Sequence, residues 1–187
     1  MGMMRSRTEH GIVAAGRPQD DEPRKERTVT AKSDFTEEEW TRIVRAPFMA
    51  GMSITLADPG GPIEAAKESM ATLKSATNPP SREQLLAEVA LDIQAMVQGH
   101  HNPVSGYKPT GGQPPGEQVL GELRAVQEIV AAKATPEEAT AFGQWLVAAA
   151  QAAADAAKEG GFMGFGAQLV SEREQDMLDR VRQAVGG

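Results

Sequence analysis

Thr135-Pro136-Glu137-Glu138 runs directly into Phe142, Trp145, Leu146 and an alanine-rich stretch from Ala148 to Ala157, and the reading of this segment decides the fold. A threonine at N-cap, a proline at N1 that forfeits only an orphan N–H, and an acidic residue at N3 together specify a helix start. The large apolar residues then recur at helical spacing. Alanine has no side-chain entropy to lose and lets neighbouring backbones approach, so the pattern predicts a central, closely packed helix running to about Glu159.

Working outward, the same logic marks other helices. Thr36-Glu37-Glu38-Glu39 is a capping box flanked by Phe35 and Trp40 at the spacing of a hydrophobic staple. Trp40, Ile43, Val44, Phe48, Met52 and Leu56 continue one face, and Pro47 within it is expected to kink or split the helix. Asp58-Pro59-Gly60-Gly61 ends it. Pro62 suits N1 of a second helix whose Ile63, Ala66, Met70 and Leu73 keep a three-four spacing. A third, capped by Ser81 with Gln84, carries Leu85, Leu86, Val89, Ile93, Met96 and Val97 and closes at Gly99. A fourth is expected from about Glu117 to Lys133, and Ser171-Glu172-Arg173-Glu174 opens the last. No segment alternates as a strand would. The expectation is an all-α bundle of about six helices.

Two further features organise the chain. Residues 99–116 hold five glycines and four prolines, too many for a regular element, and join halves at about 35–98 and 117–187. A shift of 99 residues lays Thr36–Thr41 on Thr135–Thr140, Ile43 on Phe142, Ala50 on Ala149 and Gly61 on Gly160. This echo raises the expectation of two pseudo-repeated three-helix halves within one helical domain, residues 34–187. Residues 1–33 carry few branched apolar side chains and no periodicity, so they are expected to be a disordered arm, either a partner-binding segment or an upstream misassigned start.

Composition narrows the chemistry. The 187 residues include 19 basic and 26 acidic side chains, a net charge of −7, eight aromatics and no cysteine. The first 33 residues have seven basic and five acidic side chains, which leaves −9 on the rest. Thiolate chemistry is excluded, and an acidic chain argues against a nucleic-acid partner. No apolar run reaches the length of a membrane span, and a cytoplasmic location is the default expectation.

Candidate sites follow from residue types. His100-His101 is the only histidine pair and stands without a third ligand at recognisable spacing. Asp58, Glu64 and Glu68 surround the first glycine loop and offer oxygen donors to a divalent metal. Phe162, Met163 and Phe165 place scarce large apolar residues on the loop Gly160–Gly166, either as a plug for the bundle or as an interaction surface. That loop follows a helix and lacks the lysine of a phosphate cradle. Met49, Met52 and Met70 could line an adaptable pocket. With no catalytic constellation among these, no enzyme is expected. The leading reading is a binding or self-associating protein, with a metal-binding module and a small-molecule or lipid carrier as alternatives.

Ser53–Glu68 and Ala149–Glu174 each take an apolar, alanine-bearing helix through a glycine loop towards acidic residues. In this they resemble the tellurite-resistance B-like (TerB-like) helical proteins of bacteria. The resemblance implies an all-helical fold with repeated halves, a stress-related role and divalent-metal binding at acidic loop residues. This chain departs at Ala57-Asp58-Pro59-Gly60-Gly61-Pro62-Ile63, and has no acidic residue between Gly160 and Val170.

Overall fold

The computed structural model describes residues 29–109, 112–158 and 170–186. Among them the structure is all-α. A 3-10 turn, Lys32–Asp34, leads into α1 (Glu37–Ala57), α2 (Pro62–Ala76), α3 (Gln84–Gln98), α4 (Pro115–Lys133), α5 (Pro136–Lys158) and α6 (Glu172–Val185).

The expected helix starts form because their chemistry is local. Thr36 Oγ1 accepts the Glu39 amide at 3.2 Å while Glu39 Oε2 accepts the Thr36 amide at 2.7 Å. Ser171 and Glu174 repeat the exchange at α6, and Thr135 and Glu138 at α5. The staple also forms, with the Phe35 and Trp40 rings 5.7 Å apart. Two local expectations fail. Pro47 is buried within an unbroken α1, where it withholds only one backbone donor and helix packing holds the element together. Ser81 does not cap α3; Glu83 is its N-cap and makes no side-chain cap bond.

Phe142, Trp145, Leu146 and Ala149, Ala150, Ala153 and Ala154 of α5 are all fully buried. Both α1 and α2 pack on this helix, and α1 also packs on α4. The two sequence halves therefore interleave around one core cluster. Ile43 and Ala50 are buried, as are their counterparts Phe142 and Ala149 in the shifted alignment. Small residues set the spacing elsewhere too. A Cβ added at Gly51 of α1 would stand 2.1 Å from Thr72 Oγ1 of α2.

α2 is turned opposite to expectation. Glu68, Thr72 and Ala76 face inward, whereas Ile63 and Met70 are 69% and 67% exposed. The small and hydroxyl-bearing side chains allow close approach to α1 and α5, and Thr55 of α1 hydrogen-bonds the Glu68 carboxylate. Trp145 Nε1 of α5 donates to the Ser75 carbonyl at 2.9 Å, so the buried indole is satisfied by α2.

Part of the arm expected over residues 1–33 is packed on the bundle. Thr30 is fully buried, and both its amide and its hydroxyl donate to Glu138. Lys32 pairs with Asp92 of α3 at 2.6 Å. The sparse apolar content of this segment misleads because polar bonds hold residues 30–32. Residues 1–28 lie outside the described residues.

Candidate functional site

The structure disperses most of the residues singled out from sequence. Phe162, Met163 and Phe165 lie outside the described residues. Met49 is in the core, Met52 packs against it and Met70 is exposed on α2, so the three methionines share no pocket. His100 has a backbone role. Its φ is +55°, and it follows the C-cap Gly99 as the left-handed residue of a Schellman ending: the His100 amide reaches the Val97 carbonyl at 3.1 Å and the His101 amide reaches Met96 at 2.9 Å.

Asp58, Glu64 and Glu68 do not make the expected ligand set. Among the described residues, no group of three or more His, Asp or Glu side chains is placed to hold a metal ion. Their relationship is electrostatic. Burial raises the Glu68 carboxyl above its ordinary value; the Thr55 hydrogen bond opposes this, and the charges of Glu174, Glu64 and Asp58 add to the rise.

A different constellation lies between α1 and α4. A groove of about 1090 Å³ is lined by residues of both helices and by the loop residues Gly106, Tyr107 and Lys108. Helical periodicity places Glu38, Arg42 and Arg45 along the α1 wall, and Glu117, Gln118, Gly121 and Glu122 form the α4 wall. Gly121 faces open space, since nothing lies within 4 Å of where its Cβ would be.

The loop is shaped to deliver Tyr107. Asn102 Oδ1 accepts the Val104 amide at 3.0 Å, and Gly106 takes φ +82°, which L side chains rarely adopt. The Tyr107 ring then lies 5.9 Å from the Arg45 guanidinium carbon. Burial raises the Tyr107 hydroxyl pKa, as does the Glu122 charge, with Arg45 opposing. The phenol therefore stays protonated.

Ion pairing divides the wall residues into two kinds. Arg42 holds Glu122 with two bonds, Nε to Oε1 at 2.8 Å and Nη2 to Oε2 at 2.9 Å, a fork that raises the Arg42 pKa despite partial burial. Arg180 of α6 holds Glu117. Arg45, Lys108, Glu37 and Glu38 have no ion-pair partner among the described residues. The buried Arg45 Nε and Gln118 Oε1 also lack hydrogen-bond partners there, although Gln118 Nε2 donates to the Gln113 carbonyl at 2.7 Å.

None of these groove residues stood out as a site from the sequence; Glu37 and Glu38 appear there only within a capping box. The available signal was modest: the sole tyrosine of the chain, Tyr107, sits in a glycine- and proline-rich loop. Comparison with family models, curated proteins and solved structures finds no match for this chain. The described residues define an all-α bundle with an open polar groove, and none of its helices is long and apolar enough to cross a membrane.

Proposed function

We propose that the protein is a non-enzymatic binding module whose α1–α4 groove receives a segment of a partner protein. The observation that carries this reading is the set of charged wall side chains, Arg45, Lys108, Glu37 and Glu38, that have no ion-pair partner among the described residues. A ligand of complementary charge supplies those partners, and charge-assisted hydrogen bonds are the stronger kind. The fixed Arg42–Glu122 and Arg180–Glu117 pairs brace the walls, so binding requires little reorganisation. An NMR fragment screen tests it: hits are expected to shift Gly106, Gln118 and Gly121 amides and to vanish in Gly121→Leu, which fills the groove. Hits confined to other surfaces would defeat it.

Self-association is a second reading, favoured by the exposed stripe of Ile63, Ala66 and Met70 on α2, beside Ala156 of α5. Concentration-dependent sedimentation, abolished in Ile63→Glu/Met70→Glu, is its expected signature. A monomer at every concentration would dismiss it.

A further inference from the structure

The charges left over in the groove specify the chemistry of what fits there, an inference that rests on the groove being a binding site. Once the Arg42–Glu122 and Arg180–Glu117 pairs are set aside, the groove presents two cations, Arg45 and Lys108, and two anions, Glu37 and Glu38. A multiply charged anion such as phosphate would gain from Arg45 and lose against the glutamates. A ligand carrying one carboxylate and one cation meets both signs favourably.

The spacing sharpens this. Glu38 and Arg45 are seven residues apart on one face of α1, which is two turns, or roughly 10 Å along the axis. An extended peptide advances about 3.3 Å per residue, so its complementary charges stand about three residues apart. The Arg45 end is also prepared for a planar acid, because the guanidinium lies near the Tyr107 ring.

We infer that the groove binds a short extended peptide segment with its carboxylate on Arg45 and a cationic group, about three residues away, on Glu37 and Glu38. The charges can come from the two ends of a tripeptide or from an internal Lys/Asp pair two residues apart, on one face of an extended chain, whose long side chains span the remaining distance.

Titration of the full chain, followed by amide and Arg Nε signals, separates these sources. The probes are trialanine, its C-terminal amide, its N-acetyl form, and a doubly blocked Lys-Ala-Asp peptide, whose two charged side chains share a face. Trialanine or the Lys/Asp peptide is expected to shift Arg45 Nε–H and the Gly121 amide, and removal of either charge from trialanine to weaken binding about tenfold. Arg45→Gln should weaken the acid and leave the amide unchanged, a split that a folding defect would not produce. Equal binding of acid and amide, or no response to any probe at about 10 mM, overturns the inference. A neutral fragment that still fills the groove in that case upholds the groove and rejects only the peptide chemistry.

Discussion

The Thr30 hydroxyl donates to Glu138 Oε2 at 2.5 Å, and the Thr30 amide donates to Oε1 at 3.2 Å, across 108 residues of sequence. The same carboxylate caps α5 through Thr135 and accepts the Leu85 amide at the start of α3. One buried acid therefore clasps the N-terminal segment, α3 and α5. Thr30→Val removes one charge-assisted bond and is expected to cost about 1.5–3 kcal/mol, read as a lower urea midpoint with unchanged slope. An unchanged midpoint would show that the clasp contributes nothing.

Two of the buried glutamates, Glu138 and Glu68, respond oppositely to pH. At Glu138 burial acts to raise the carboxyl pKa, but the bonds from Thr30, Thr135 and Leu85 outweigh it and the net shift is downward. Its contribution is complete above the ordinary value of 4.5 and falls away as pH drops through the lower folded value. Glu68 is shifted upward, so its contribution is greatest below 4.5 and is lost as pH rises through its elevated value. Glu68→Gln is therefore expected to stabilise the protein at pH 7, by about 1 kcal/mol, since Thr55 can still donate to the amide oxygen. Glu138→Gln should instead flatten the acid limb of stability against pH. Denaturation across pH 3–8 distinguishes the two; a loss of stability at neutral pH in Glu68→Gln would contradict the assignment.

His100 occupies a left-handed position that glycine fills at no steric cost. His100→Gly is expected to raise stability by about 0.5–1 kcal/mol, measured by thermal unfolding. A destabilised variant would mean that the imidazole makes a contribution beyond the backbone.

Glycines separate close packing from open space. Gly143→Ala would bring Cβ to 2.6 Å from the Val185 carbonyl of α6, and Gly51→Ala would collide with Thr72. Each is expected to cost about 1–3 kcal/mol. Gly121→Ala, in open space within α4, should instead stabilise by about 0.5–1 kcal/mol. Equal effects at all three positions would argue against the observed helix spacing.

These cases show which parts of the molecule are legible in sequence. Thr36, Thr135 and Ser171 could be recognised as caps because their partners lie three residues away. The second role of Glu138 could not, because Thr30 and Leu85 are distant along the chain. The outward turn of Ile63 and Met70 was hidden for a related reason: spacing identifies an apolar stripe, while packing against small residues of α1 and α5 decided which face of α2 went inward. The candidate site was least legible. Arg45 becomes distinctive only when Glu122 has been taken by Arg42, Glu117 by Arg180, and Tyr107 has been delivered by the turn at Gly106.

The groove is tested most directly by the Arg45 Nε–H resonance in the presence of trialanine. Binding at the site predicts a saturable shift of that resonance and slower exchange of its proton with water, accompanied by a rise in melting temperature because the ligand favours the folded state. Both effects should disappear in Gly121→Leu. An Arg45 Nε–H resonance that stays in place while the peptide stabilises the fold from another surface would contradict the assignment of the α1–α4 groove as the binding site.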